Sequence, residues 1–320
     1  MSREFIYILP PARSRTFKTR SESYIIRELE LRGIGIHQLN RFYQRNLRKL
    51  LSENSIDGII FSSLKVILRH RKLLDRIRKT KIPLYWWYFD TANASQKRLM
   101  QVISVAKFTN LFFNKDKSNF EHYRSEGIHP VWLDQGTPES CRMSSNVEYK
   151  YEIGFFGSYN TVHQNRSTLL KEMDEKFRLV IYTPDVKTFN RAGFKHVRPA
   201  VSQQDIGLAV AQIKIVLVTN YSDAFPGYWS DRIHLMAGSG AFCLAPAIEG
   251  LQELYEADKD VVYYSGAEDL LDKISIWLHP DHDSLREEIR RQAFHTAHQK
   301  NSYSVRVNEF LREIEAPGLP

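Results

Sequence analysis

The sequence predicts an α/β protein of two domains, each a largely parallel sheet wound on both faces by helices. Three observations carry that expectation. Short apolar segments alternate with amphipathic helical patterns along the chain. Residues 82–89 (IPLYWWYF) are too apolar to alternate, as in a strand buried on both sides. A Ser-rich, aperiodic stretch at 137–147 (TPESCRMSSNV) divides the pattern, and 320 residues is long for one core. The expected division is therefore 1–140, a linker at 137–147, and 148–320.

In the first domain, residues 4–9 predict a buried strand, and the loop behind it carries Arg13, Arg15, Lys18 and Arg20. In a doubly wound domain that loop opens onto the ligand edge, so Arg13 and Arg15 are candidate contacts for an anionic acceptor or a phosphate. No G-x-G-x-x-G occurs, which excludes the dinucleotide fingerprint. Helix, strand, helix and strand follow at 21–32, 34–39, 42–52 and 57–61, the first helix stopped by Gly33. Residues 65–79 predict one strongly basic helix, with Leu64, Ile67, Leu68, Leu73, Leu74 and Ile77 on its apolar side. Its cationic face suits either solvent or contact with a membrane surface or polyanion. The strand at 82–89 ends at Asp90, a carboxylate at the C-terminal end of a central strand. Asp90 is the catalytic candidate, as base or anchor of an acceptor hydroxyl, with helix capping as the alternative role. A helix at 94–106 precedes a strand at 110–113 that ends at Asn114-Lys115, making Lys115 a further candidate for acceptor or phosphate contact. A helix at 118–125 and a strand at 129–133 complete the domain.

The second domain opens with a strand at 152–156 that runs into Gly157-Ser158-Tyr159, where a small residue lets backbone approach a ligand. The motif is not a P-loop, since the Gly-Lys-Ser/Thr ending is missing. Arg166 opens the next helix, and a guanidinium makes bidentate contacts with a diphosphate. The strand at 178–182 ends at Tyr182, a candidate wall for a nucleobase. Residues 189–200 lack periodicity, 203–212 read as helix and 213–218 as a buried strand. Residues 227–264 (GYWSDRIHLMAGSGAFCLAPAIEGLQELYEADKDVVYY) organise the domain. They read as an aromatic entry, a helix capped by Ser230 or Asp231, a glycine stop, a buried strand and a second helix opened by Glu249-Gly250. Asp231 and Arg232 would sit at a helix N-terminus, where unpaired N–H groups favour phosphate. Helices at 267–278, 284–299 and 305–314 close the chain.

The order S-D-R, small-residue helix, G-x-F strand, P-x-x-x-G-L and V-V-Y-Y resembles the C-terminal half of GT-B glycosyltransferases, in particular the spore-maturation-type, group 1 transferases. The likeness extends upstream through YEIGFFGSYNTVHQNRSTLL and downstream through HTAHQKNSYSVRVNEFL, about half the chain. It implies two Rossmann-like domains facing a cleft, with the last helices crossing back to the first. It also implies a nucleotide-diphospho-sugar as donor co-substrate, with no cofactor and no metal. Gly157, Ser158, Tyr159, Arg166, Tyr182, Asp231, Arg232, Glu249 and Gly250 would then form the donor side. Retaining members of the wider class carry two glutamates eight positions apart, and here those positions are Gly227 and Leu235. Either the donor contacts have moved to Asp231, Arg232 and Glu249, or the chain is a GT-B-like binder of nucleotide or polyanion.

Composition narrows the partners. Residues 1–140 hold 25 Lys and Arg against 13 Asp and Glu, whereas the remainder is net negative within a total of +8. A net +12 in the first domain favours an anionic acceptor, such as modified-base DNA or a phosphate-containing cell-surface polymer, and allows peripheral membrane contact. No apolar run approaches the roughly 18 residues of a membrane span, and no signal-peptide pattern opens the chain, so a cytoplasmic location is expected. Cys141 and Cys243 fall in different elements, as expected for reduced thiols. The scattered histidines give no metal-ligand spacing.

Overall fold

The computed structural model describes residues 3–10, 21–40, 43–145, 148–159, 164–220 and 225–316. Arg13 and Arg15 lie outside the described residues, as do Lys18, Arg20 and Val147. The chain divides into two compact units, Met1–Gln135 with Tyr303–Pro320, and Gly136–Ser302.

In the first unit six parallel strands form one sheet: β1 (Glu4–Ile8), β2 (Gly35–Leu39), β3 (Gly58–Phe61), β4 (Leu84–Tyr88), β5 (Leu111–Asn114) and β6 (Pro130–Trp132). Their order is β2-β1-β3-β4-β5-β6, with the chain reversing direction across the sheet between β1 and β3. Period-two alternation sorts the aromatic run of β4. Trp86 and Tyr88 join Phe61 and Phe112 on one face, covered by α2 (Tyr43–Glu53), α3 (Leu64–Arg69), α4 (Arg71–Thr80), α5 (Gln96–Ala106) and α6 (Phe120–Ser125). Tyr85 and Trp87 join Phe5 and Phe113 on the other, under α1 (Ser21–Leu31) and the last helix of the chain, α13 (Tyr303–Glu315). Phe310 of α13 stacks on Trp87 at 5.6 Å, so the C-terminal helix completes the first unit's core.

The basic segment expected as one helix is two. His70 leaves the helical region (φ −119°, ψ 47°) and its ring packs 4.6 Å from Tyr43. The break lets Val66 and Ile67 on one piece, and Leu73, Leu74 and Ile77 on the other, all face the core.

The second unit repeats the design with β7 (Tyr151–Phe156), β8 (Leu179–Thr183), β9 (Val197–Pro199), β10 (Ile213–Leu217), β11 (Cys243–Pro246) and β12 (Val262–Tyr264), all parallel. The order β12-β11-β10-β7-β8-β9 places the reversal between β7 and β10. Helices α7 (Gln164–Lys176), α8 (Val186–Arg191), α9 (Ile206–Val210), α10 (Arg232–Ala237), α11 (Gly266–Leu278) and α12 (Asp283–Gln299) connect and cover it. Edge strand β9, within the aperiodic stretch, is three residues long, too short to show a period.

Two further expectations change. The polar stretch after Gly136 packs into the second unit. Thr137 is fully buried, donating its N–H to the Asn301 carbonyl (2.7 Å) and its hydroxyl to the His234 carbonyl (3.0 Å), and Cys141 is buried. Backbone and hydroxyl groups find protein partners there, which hydrophobic periodicity does not reveal. Glu249-Gly250 opens a single 3-10 turn, Leu251–Glu253, not a helix. Gly250 is left-handed (φ +92°), and the Asp260 carboxylate takes the Glu256 N–H (2.9 Å), so the chain turns to β12 before a helix can propagate. No helix of the described residues is long and apolar enough to cross a membrane.

Candidate active site

The ends of β7 and β10, where the second unit's chain reverses, bring together the residues best suited to hold an anion. Such a reversal leaves a crevice outside the carboxyl ends of parallel strands. β7 ends at Phe155-Phe156-Gly157, and the Gly157 N–H is held by the Tyr182 carbonyl (3.0 Å). A Cβ at Gly157 would lie 2.7 Å from the Phe155 ring and 3.3 Å from Arg232 Nε. Only glycine lets the arginine lie this close to the strand end.

Two guanidiniums converge on the Phe155 ring, that of Arg166 on α7 at 5.7 Å and that of Arg232 on α10 at 5.8 Å. Backbone at the end of β10 orients both. Arg166 Nη2 donates to the Asn220 carbonyl and Arg232 Nη1 to the Thr219 carbonyl, each at 3.1 Å. Burial pushes the Arg232 guanidinium below its ordinary value, a pull that neighbouring Asp231 and Tyr228 oppose. Arginine nevertheless stays charged in proteins, so this half-buried cation gains from an arriving anion. The Thr219 hydroxyl is buried with no partner among the described residues, a group that a ligand oxygen would satisfy.

The surrounding loops are tied to this point. Asn220 Nδ2 donates to the Tyr228 carbonyl (2.7 Å), and the Gly227 N–H to the Glu249 carbonyl (2.9 Å). Trp229 is buried within van der Waals reach of Gly250. Asp185, after β8, accepts the Tyr159 N–H (2.8 Å) and so fixes the backbone beyond Gly157 and Ser158. Asp231 is exposed and makes no side-chain cap, while the Ser230 hydroxyl accepts the Arg232 N–H at 3.4 Å. Because α10 has only six residues, the attraction for an anion at its start comes mainly from arginine side chains, not from a long helix dipole. Glu249 is exposed and reaches the cluster through its carbonyl.

Tyr182 stands apart from the pair. Leu179 and Ile181 point into the core that holds Phe155, so alternation sends Tyr182 to the opposite face, where its ring stacks on Phe156 at 4.8 Å. Burial raises its phenol above the ordinary value.

The first unit's candidates are otherwise engaged. Asp90 is exposed and pairs with Arg98 of α5 at 2.9 Å, while Arg98 Nε also donates to the Tyr88 hydroxyl (3.0 Å). Lys115 is enclosed, donating to Gln135 Oε1 at 3.0 Å with Asp134 at 3.9 Å, and Gln135 donates in turn to the Ser21 hydroxyl (2.7 Å). The ammonium thus joins the ends of β5 and β6 to the start of α1. Residue type does not reveal the carbonyls of Thr219 and Asn220 or the Asp185 carboxylate, although the strand ends that carry them were legible.

Residues 165–312 match a family model described as glycosyl transferase-like. By sequence, no curated protein matches the chain. Solved structures match along nearly all of it. Anabaena Alr3699/HepE in complex with UDP and glucose aligns with a TM-score of 0.69 at 12% identity, covering 98% of this chain and 99% of that one. Sucrose-phosphate synthase from Thermosynechococcus elongatus gives 0.72 at 9%, covering 99% and 100%. An alpha-glucosyltransferase in complex with UDP and a 13-mer DNA containing an HMU base gives 0.67 at 11%, covering 99% and 100%.

Proposed function

We propose that this chain, which has the GT-B fold and a glycosyl transferase-like segment at 165–312, transfers a sugar from a nucleotide-diphospho-sugar to an acceptor hydroxyl. The observation that carries this reading is the pair Arg166 and Arg232, converging on Phe155 where a glycine keeps the strand end open. In the reaction the bond from the sugar's anomeric carbon to the diphosphate oxygen breaks and one to the acceptor oxygen forms. The diphosphate leaves with the electron pair, and the acceptor loses its proton. Fixed cations beside the leaving oxygens lower the barrier by stabilising the charge as it develops, which is how the step proceeds without a metal in this proposal. UDP bound to HepE and to the DNA-bound alpha-glucosyltransferase supports a nucleotide donor.

The acceptor side is assigned to the first unit, whose net positive charge raises the local concentration of an anionic acceptor by long-range steering and not by contact at the ligand edge. Modified-base DNA and a phosphate-bearing polymer both fit, the former in line with the DNA-bound neighbour. One observation favours a second reading, a non-catalytic binder. Gly227, at one of the two expected glutamate positions, is left-handed (φ +72°), where a glutamate would be strained.

A thermal-shift panel of UDP, GDP, ADP, CMP and TDP with their sugars tests the donor. A ligand at about 100 times its dissociation constant adds about 2.7 kcal/mol, a readily measured shift. No shift with any nucleotide refutes the donor reading. A shift without transfer or hydrolysis of the bound sugar favours the binder.

A further inference from the structure

The first unit's positive charge is not spread around it. On the layer formed by α2 to α6, helical positions carry thirteen Lys and Arg against three Asp and Glu. On the opposite layer, α1 and α13 carry three against six. The excess peaks on α4, where Lys72 and Lys79 are exposed opposite the buried Leu73, Leu74 and Ile77.

Beside α4 the same layer is also apolar at its surface. A groove of about 340 Å³ runs between α3, α4 and the end of α5, walled by Ile67, Leu68, Leu74 and Val105, with Asp75, Arg78, Ser104 and Phe108 completing its lining. Phe108 is 40% exposed and Met100 on α5 is 64% exposed. The two are eight positions apart, with exposed Ser104 of the groove lining midway between them, so the side of α5 that carries Met100 leads towards the groove. The Arg78 guanidinium sits 4.7 Å from the Phe108 ring centre, a cation placed over apolar surface. The C-terminal end of α4 and the residues just past α5 lead into the N-terminal ends of β4 and β5, the edge of the sheet away from Asp90 and Lys115. This surface is therefore separate from the ligand edge.

We infer that the α4–α5 face is a docking surface for an anionic phospholipid bilayer, with the basic residues meeting headgroups while Phe108 and Met100 enter the boundary with the acyl chains. Charge complementarity selects an anionic partner, and the apolar groove beside the cations selects an amphiphile over a nucleic acid. The inference stands independently of the donor site.

Co-sedimentation tests it, using vesicles of phosphatidylcholine alone and vesicles in which about a third of the lipid is phosphatidylglycerol. The full-length chain should sediment with the anionic vesicles only. Lys72→Ala with Lys79→Ala should weaken binding on the order of twentyfold, at roughly fivefold per charge. Phe108→Ser and, separately, Met100→Ser should each weaken it on the order of tenfold. All three variants change exposed side chains and should keep the wild-type melting temperature and nucleotide response. Failure to bind anionic vesicles, or vesicle binding indifferent to both apolar substitutions, overturns the inference. Preferential binding to duplex DNA at equal ionic strength, unaffected by Phe108→Ser, overturns it in favour of a polyanion surface.

Discussion

Arg166 and Arg232 come from different helices, yet their guanidiniums lie almost equally far from one aromatic ring. Each is aimed by a carbonyl at the end of β10, and a guanidinium held in this way suits bidentate contact with a phosphate. A hydrogen bond from a charged donor contributes about 1.5–3 kcal/mol, so Arg232→Ala should weaken donor binding roughly 10- to 100-fold by titration calorimetry. Arg232→Lys should not restore it, because an ammonium cannot reproduce the fork that reaches the Thr219 carbonyl and the ligand together. Unchanged affinity in the alanine variant would remove Arg232 from the donor site. Both arginines were legible as residue types near strand ends. Their convergence was not, since the spacing from 166 to 232 says nothing about distance. Asp90 shows the converse: its place after a central strand was readable, but the Arg98 partner that pairs with it was not.

At the scale of elements, the close approach of a strand end to a helix decides what the site tolerates. Gly157→Ala puts a methyl 2.7 Å from the Phe155 ring and 3.3 Å from Arg232 Nε, so ring and guanidinium must both shift. Overpacking of this kind costs about 1–3 kcal/mol. The expected result is a lower donor affinity, measured by nucleotide thermal shift, that exceeds the effect of the same variant on the ligand-free melting temperature. Phe310 tests a different element. It is fully buried in α13, stacked on Trp87 and near Tyr85 and Phe113. Phe310→Ala should destabilise the protein by about 3–5 kcal/mol in urea titration, whereas a loss below about 1 kcal/mol would deny α13 its part in the first unit's core. Long strands and helices were readable from periodicity. The three-residue β9, the break at His70 and the 3-10 turn after Gly250 depend on local backbone states that periodicity does not encode.

Across the whole molecule, buried protonated groups set the alkaline limit of stability. Burial holds the Cys243 thiol above its ordinary 9.0, and the phenols of Tyr88, Tyr123, Tyr149 and Tyr263 above their ordinary 10.0. A raised value in the folded state means that the unfolded chain releases these protons first. The associated stability is therefore complete below the unfolded values and is lost as pH rises through 9 and 10. The fully buried groups among them, Cys243, Tyr88 and Tyr123, each remove up to about 1.4 kcal/mol per pH unit once pH passes the ordinary value, so melting temperature should fall above pH 9 in a calorimetric series. A flat profile to pH 11, about two units above the thiol's ordinary value, would contradict this burial pattern.

The amino-acid sequence alone determined the α/β class, the repeated doubly wound plan and the strand ends at which a ligand site would be sought. It did so because burial on both faces of a parallel strand, helix periodicity and glycine stops are local properties. It also showed the charge bias towards the first 140 residues, since composition needs no coordinates. Only the tertiary structure decided that the stretch after Gly136 packs into the second unit and that the first unit's cations gather on one helical layer. Only it set Arg166 and Arg232 around Phe155, and Tyr182 on the opposite face of the sheet. These are relations between segments far apart in the chain, fixed by which surfaces bury together and which carbonyls find donors, and no local pattern carries them.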